Sequence, residues 1–454
     1  MGIPYYFATL IRQHKEIVSK VKGCQSPDVL AIDFNCLIHT YMDDTNPILS
    51  VIEALRDILT NVCKATKFTY VAMDGLVPYA KMVQQRYRRF RKQDTVPVFD
   101  RNQISPETQF MKDLASAVRS AFPDIILSDT SEPGEGEHKL LNWLKTLPDN
   151  KRRSICVYGL DADLILLCLA QLKLSMPYSF NLLRENKGFN RDDDGFSTLS
   201  VWRLADKIEI PVEQYVVLSI LCFGNDFMPN LGMFSLREGG HERALSMYKE
   251  AGNPDLSTPI GLWQFLNAAR EKELQFYIEK VKSRNKRCER TIISEDGKFY
   301  VERYITHVLD GADPNSVVNA YSKTFAWTIE YFFTNDVPDW EWYYPYPDAP
   351  LIEMFYETVT SDKYIMRKVE KIDSLNFNKN ITYSTLNQLQ FILPSSSIRK
   401  NKKRVAFPDE FYNEETETRM PWMKRYAWEC KPRISLPWHP SEKETKIEAW
   451  NPYS

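Results

Sequence analysis

A chain of 454 residues with 43% hydrophobic and 13% aromatic residues carries enough apolar surface to exclude a disordered protein, and it predicts a principal domain plus a second packed region. The formal net charge of −2 excludes a polycation that coats nucleic acid non-specifically, so any phosphate-binding surface must be local. Eight scattered cysteines without a CxxC pair exclude a zinc knuckle and a disulfide framework and fit a reducing compartment. Tyr6 stands where N-myristoylation needs Ser or Thr, no charged-then-apolar leader follows Met1, and the longest apolar runs, Leu164 to Leu169 and Val216 to Phe223, fall well short of the roughly 18 residues of a membrane span. The expectation is a soluble intracellular protein.

In chain order, three short apolar runs each lead into an acid: Val29 to Ile32 before Asp33, Phe68 to Met73 before Asp74, and Ile155 to Gly159 before Asp161. Each reads as a buried strand. Helical patterns separate them at Pro47 to Thr60, Glu107 to Ala121 and Glu137 to Leu147, which predicts an α/β fold with a parallel sheet. In such sheets ligands bind beyond the carboxyl ends of the strands, where all three acids fall. From Leu204 to Lys280 the pattern turns helical, with Val212 to Cys222 and Thr258 to Ala268 as the clearest apolar periodicities. The polar, basic stretch Lys282 to Lys298 reads as a linker or insertion. Aromatic density then rises, with Trp340-Glu341-Trp342-Tyr343-Tyr344-Pro345-Tyr346-Pro347 at its peak. The expected division is a core over 1–250, a helical connection with the basic linker over 251–298, and a second region over 299–454. No internal repeat is present.

Seven acids stand at strand ends or in Gly-containing turns: Asp33, Asp74, Glu135, Glu137, Asp161, Asp163 and Asp226. The ordinary role of any one is to cap a helix. Gly134-Glu135-Gly136-Glu137-His138 and Asp161-Ala162-Asp163 place carboxylates two residues apart, and such pairs cannot all serve as caps. Clustered anions repel unless cations bind or some groups stay protonated. Mg²⁺ and Mn²⁺ favour oxygen ligands. Two such ions about 3.5–4 Å apart would orient a water-derived nucleophile and stabilise a departing oxygen at phosphorus.

After Asp74, the segment Lys81 to Lys92 sets Lys81, Gln85, Arg88 and Arg89 at helical i, i+4, i+7, i+8 spacing on one face. A run of cations is usually a solvated face. Forked guanidinium groups and a lysine a few residues beyond a candidate metal ligand suit capture of a terminal phosphate instead. A closed pocket there would admit a 5′-monophosphate and exclude a cap or triphosphate. His39, six residues after Asp33, is a candidate to stack on a nucleobase. His138 reads as support for its turn.

These pieces resemble the Xrn-type 5′→3′ exoribonucleases. The resemblance is carried by Met1-Gly2-Ile3-Pro4, Asp33-Phe34-Asn35 with His39, Met73-Asp74-Gly75, Lys81-Met82 through Arg88-Arg89-Phe90, Ser128-Asp129 leading to Pro133-Gly134-Glu135-Gly136-Glu137-His138-Lys139, Tyr158-Gly159-Leu160-Asp161-Ala162-Asp163, and Gly224-Asn225-Asp226-Phe227. It is dense to about residue 245, returns from Phe325 to Pro350, and echoes weakly to Leu393-Pro394. It implies a PIN/flap-nuclease-like parallel-sheet core with a helical extension, and a second aromatic-rich region that packs against it and completes the cleft. It also implies that the seven acids bind divalent metal, and that Lys81, Gln85, Arg88 and Arg89 read a 5′-monophosphate. His39 would stack on the leading base and Trp327 oppose it, while Trp340, Trp342, Tyr343, Tyr344 and Tyr346 read as packing residues. Tyr79 stands where an arginine is usual, which implies altered phosphate affinity. The long insertion and extra carboxy-terminal domains of cytoplasmic members are lacking, as is the zinc knuckle of some nuclear ones.

The implied activity is Mg²⁺- or Mn²⁺-dependent, stepwise hydrolysis of 5′-monophosphorylated single-stranded RNA, by two ions and a monomeric, membrane-free protein. A cytoplasmic site of action is expected, in a cell or as a virus-encoded decay enzyme, with the nucleus also open, and no residue names a decapping partner. Two other readings stand beside it: a structure-specific flap endonuclease on DNA, and a non-catalytic RNA-binding scaffold. RNA is told from DNA through 2′-hydroxyl contacts, which no spacing rule identifies.

Overall fold

The segment Val29–Asp33 is apolar on both faces of its pleat, as a strand buried between two helical layers must be. Val29 and Ala31 pack into one core cluster, Leu30 and Ile32 into another on the opposite face. The computed structural model, which describes residues 2–42, 45–90, 99–148, 153–175, 179–186, 195–284, 296–309, 311–346, 348–361, 377 and 379–393, builds a seven-stranded sheet around this strand. Its strands are β1 (Val18–Lys20), β2 (Val29–Asp33), β3 (Phe68–Ala72), β4 (Ile126–Ser128), β5 (Ser154–Tyr158), β6 (Ser179–Glu185) and β7 (Phe196–Ser200), in the order β1-β7-β6-β5-β2-β3-β4. The five from β4 to β6 in that order are parallel, and β7 and β1 add antiparallel at one edge. From β2 the chain first builds outward through β3 and β4, then returns to the other side of β2 with β5. The crevice of the sheet therefore opens between β2 and β5, at a switch in strand order.

The helices up to the second region are α1 (Tyr6–Gln13), α2 (Phe34–Tyr41), α3 (Pro47–Asp57), α4 (Tyr79–Phe90), α5 (Gln109–Ala121), α6 (Gly136–Thr146), α7 (Asp163–Ser175), α8 (Val201–Lys207), α9 (Val212–Phe223), α10 (Gly240–Glu250) and α11 (Pro259–Arg284). α2, α3 and α5 cover one face of the sheet, and α6, α7 and α9 the other. The apolar runs Leu164–Leu169 and Val216–Phe223 lie within α7 and α9 and are buried throughout, so they carry no amphipathic period because no side of them meets water.

The three expected strands and the α/β alternation are found, with small shifts at the ends. Glu107 is left-handed at φ 68°, so α5 begins at Gln109, where the Thr108 hydroxyl accepts from the Met111 N–H at 3.4 Å. α3 stops at Asp57 and passes into a π turn over Ile58–Val62, short of the continuous helix expected to Thr60. α11 runs from Pro259 to Arg284, well past Ala268.

The second region packs directly on the first. The Pro314–Thr334 helix buries Tyr321, Trp327 and Tyr331, and the Tyr321 hydroxyl donates to the carbonyls of Leu221 at 3.1 Å and Pro229 at 2.9 Å. Among the aromatics taken for packing residues, Trp340 and Tyr344 are buried, Trp342 donates to the Thr324 hydroxyl at 3.1 Å, and Tyr344 and Tyr346 sit against each other at 5.7 Å. A last helix, Thr385–Ile392, lies along α4. Residues 285–295 of the expected linker, Arg91 and Lys92 of the basic segment, and 394–454 of the second region, with its echo at Pro394, lie outside the described residues. No helix among the described residues is long and apolar enough to cross a membrane.

Candidate functional site

Parallel strands deliver their carboxyl ends to one edge, and three acids arrive there with them. Asp33 is the last residue of β2, Asp74 follows β3 by two residues, and Asp161 lies in the turn between β5 and α7. Asp163 opens α7. Glu135 is the N-cap residue of α6 and Glu137 sits in its first turn, where the positive end of the helix favours a carboxylate. Asp226 follows α9 through Gly224, whose φ of +69° and a hypothetical Cβ only 2.5 Å from the Asn230 nitrogen show why no larger residue turns the chain there.

The seven acids converge. The Asp74 carboxylate accepts from the Gly136 N–H at 2.7 Å, and its own N–H donates to the Asn35 side chain at 3.2 Å. A Cβ on Gly136 would stand 3.0 Å from an Asp33 oxygen and 3.4 Å from an Asp74 oxygen, so this glycine lets α6 close on both. Lys81 reaches between Glu135 and Asp226, ion-paired to both, at 2.9 Å from the latter. Gln84 adds a bond to the same Asp226 oxygen at 3.0 Å. The Tyr331 hydroxyl, from the second region, donates to Glu135 at 3.0 Å, and His138 stacks on the Tyr331 ring at 3.7 Å.

The electrostatics record the crowding. Burial, then the charges of Asp74 and Asp161, push the Asp33 carboxyl up to about 7. Burial, then Asp226 and Asp161, lift Asp163 to about 7 as well. Glu137 is raised by burial first and by Asp163 next, and Glu135 by burial, against the pull of Lys81. Among the described residues, one Asp163 oxygen is buried with no hydrogen-bond partner, a costly condition for a carboxylate unless a cation answers it. Hard oxygen donors, mutual repulsion and this orphaned atom together fit a divalent cation, although no three of the described side chains, as they stand, already close into a ligand shell.

Five of the acids, Asp33, Asp74, Glu135, Glu137 and Asp161, line a cavity of about 530 Å³, with Asp163 and Asp226 buried beside them. Across it stand His39 on α2, Gln85, Arg88 and Arg89 on α4, and Arg101 and Asn102 beyond it. The His39 ring is open to water within this concave mouth, yet its enclosure and the cations Arg88, Arg89 and Arg101 push it down to about 4, so it is neutral at pH 7. Gln85 is buried and accepts from Gln388 of the Thr385–Ile392 helix at 3.4 Å.

Three placements differ from expectation. Lys81 is bound to carboxylates, as a counter-cation of the acidic wall. Arg89 donates to the carbonyls of Asn102 at 3.0 Å and Ile104 at 3.1 Å and to the Ser105 hydroxyl at 2.5 Å, which ties it to a turn. Trp327 is fully buried, donating to the Asp339 carbonyl at 2.9 Å and packed on Phe227 at 5.0 Å. In this structure no face of its indole is open, a placement that differs from the stacking role the resemblance implies. Gln84, Tyr331, Gln388 and Arg101 went unnoticed in the sequence. Gln84 is three residues from Lys81 and Tyr331 four from Trp327, so helical spacing holds a signal for those two. Arg101 and Gln388 carry none.

A parallel α/β protein that gathers seven carboxylates, five of them lining one cavity with a cationic helix, has the frame of a phosphate-handling site. Residues 1–98 and 94–186 match the family model described as the XRN 5′-3′ exonuclease N-terminus, and 269–427 match the Xrn1 helical domain. This chain belongs to the Xrn family. It is 31% identical to 5′-3′ exoribonuclease 1 of Saccharomyces cerevisiae over 320 residues, 55% of this chain and 21% of the relative. It is 26% identical to 5′-3′ exoribonuclease 2 of the same yeast over 358 residues, 55% and 35% of the two chains. The chain thus spans well under two thirds of these relatives' length. The solved catalytic core of Rad2 in complex with DNA substrate is similar at 14% identity with a TM-score of 0.38, covering 82% of this chain and 99% of that one. Asp226 lies between the two matched stretches, and its link to Lys81 ties it to the rest.

Proposed function

We propose that this chain hydrolyses single-stranded RNA stepwise from a 5′-monophosphorylated end, releasing nucleoside 5′-monophosphates. The observation that carries this reading is one cavity lined by five carboxylates, Asp33, Asp74, Glu135, Glu137 and Asp161, together with arginines and a neutral His39, with Asp163 and Asp226 buried beside the acids. A terminal phosphate held by the arginines would set the first phosphodiester at the acids, with the leading base against His39. The membership of a family whose named relatives are 5′-3′ exoribonucleases supports the same direction of attack.

Asp33, Asp74, Glu135, Glu137, Asp161, Asp163 and Asp226 are the residues that would hold divalent metal, Mg²⁺ or Mn²⁺ and in our reading two ions. Bound there, such ions would supply a nucleophile from water near neutral pH and neutralise charge on the leaving oxygen. Lys81 keeps Glu135 and Asp226 at a fixed spacing. In our reading Tyr331, whose hydroxyl donates to Glu135, brings a second region, 299–454, to complete the cleft over a core at 1–250 and a connection at 251–298. We place a monomer in the cytoplasm or nucleus.

The decisive assay compares capped, triphosphorylated and monophosphorylated transcripts of one sequence, with and without a chelator. Monophosphorylated RNA is expected to disappear from its 5′ end only with divalent metal, and Asp163→Ala to slow it by roughly a hundredfold or more, the scale of losing a group that acts in the transition state. An Asp163→Ala protein as fast as the parent would overturn the site. Internal cleavage of DNA flaps in preference to RNA would favour a flap endonuclease, and RNA binding without turnover a scaffold.

A further inference from the structure

The cations of the cavity divide by what already holds them. Lys81 is ion-paired to Glu135 and Asp226, and Arg89 is bonded to two carbonyls and a hydroxyl of the turn at 102–105. Tyr79, at the start of α4, is turned to Tyr343 and Phe391, with ring centroids 5.1 Å away in each case. Arg88 and Arg101 are both exposed and both line the cavity. Arg88 has one long bond, to Gln84 at 3.4 Å, and the Arg101 guanidinium has no hydrogen-bond or ion-pair partner among the described residues.

We propose that Arg101 is a substrate-binding residue of this chain, which together with Arg88 grips the terminal 5′-phosphate, and that Arg89 is the positioning residue that presents it. The inference rests on reading the cavity as a 5′-monophosphate pocket. A phosphomonoester near neutral pH carries close to two negative charges and three terminal oxygens, more than one guanidinium fork satisfies. Arg101 begins a short 3₁₀ turn, Arg101–Gln103, in which Asp100 accepts from the Asn102 N–H at 3.1 Å. Arg89 holds the carbonyls on the far side of the same turn. The backbone of Arg101 is thereby fixed, so binding has only its side chain left to order, and among the described residues no partner competes for its guanidinium.

The test uses the full chain with Mg²⁺ or Mn²⁺ and one single-stranded RNA carrying either a 5′-monophosphate or a 5′-hydroxyl. The readout is the ratio of kcat/KM for the two ends. Arg101→Ala is expected to lower that ratio by roughly tenfold or more, the value of one lost charge-assisted contact, mainly through KM on the monophosphate, with Arg101→Lys recovering part of it. Arg89→Ala should lower the ratio too, and adding Arg101→Ala to it should then change little, because both act through one contact. A parent that prefers the monophosphate, with Arg101→Ala keeping that preference within about twofold, overturns this inference alone. A parent with no preference between the ends overturns the pocket reading and this inference with it.

Discussion

At the scale of single residues, the site depends on close approach. Gly136 sits where a methyl group would press to 3.0 Å on both the Ala72 carbonyl and an Asp33 oxygen, tighter than ordinary contact. Neither neighbour can yield cheaply, since one is strand backbone and the other belongs to the acidic wall. Gly136→Ala is therefore expected to leave the far-ultraviolet circular dichroism unchanged while RNA hydrolysis falls by roughly tenfold or more, the penalty of misplacing catalytic groups by a fraction of an ångström. Parent-like turnover in that variant would show that α6 need not close on Asp33. The same sensitivity explains why the sequence pattern Gly134-Glu135-Gly136-Glu137 was informative: the glycines allow what the carboxylates require.

Elements are held to one another by buried polar contacts as well as by apolar packing. α4 is clamped along its back by the Thr385–Ile392 helix, where Gln388 accepts from the Val77 N–H at 3.0 Å and reaches Gln85. Further away, Glu273 of α11 is buried and accepts from the N–H groups of Ile352 and Glu353, at 2.9 and 3.0 Å, across to the start of the Ile352–Ser361 helix. Burial raises this carboxyl to about 7, yet its two oxygens satisfy two donors that the helix start would otherwise leave unpaired. Glu273→Ala is expected to cost about 2–4 kcal/mol, from two orphaned buried donors, read as a lower urea midpoint at unchanged slope. A midpoint equal to the parent's would mean that water replaces the carboxylate there. The aromatic-rich segment teaches the same lesson in reverse. The resemblance implied a base-stacking Trp327, and in this structure that ring is packed on Phe227 and Tyr331.

For the whole molecule, the crowded acids impose a pH dependence. Asp33 and Asp163 ionise near pH 4 in an unfolded chain and at about 7 in the folded one. Between those values the folded state keeps protons that the unfolded state has released, so stability is lost as pH rises from about 4 to about 7. Metal-free protein should accordingly melt at a lower temperature at pH 8 than at pH 5. Mg²⁺ or Mn²⁺ should raise the melting temperature more at pH 8, where the cation meets ionised carboxylates. Equal gains at both pH values would count against a shared metal site. The sequence alone determined the parallel α/β core, the strand-end position of the acids and the cationic face of α4, because each follows from local periodicity or from a residue's place beside a strand. Among the described residues, the tertiary structure alone decided which cations are already held. Lys81 and Arg89 read like Arg88 along the helix, and only the fold reveals that carboxylates from α6 and the Asp226 loop hold one, that a turn at 102–105 holds the other, and that Arg101 stands open in their place. Periodicity reports which face a side chain takes, whereas its partner is set by segments that meet only when the chain has folded.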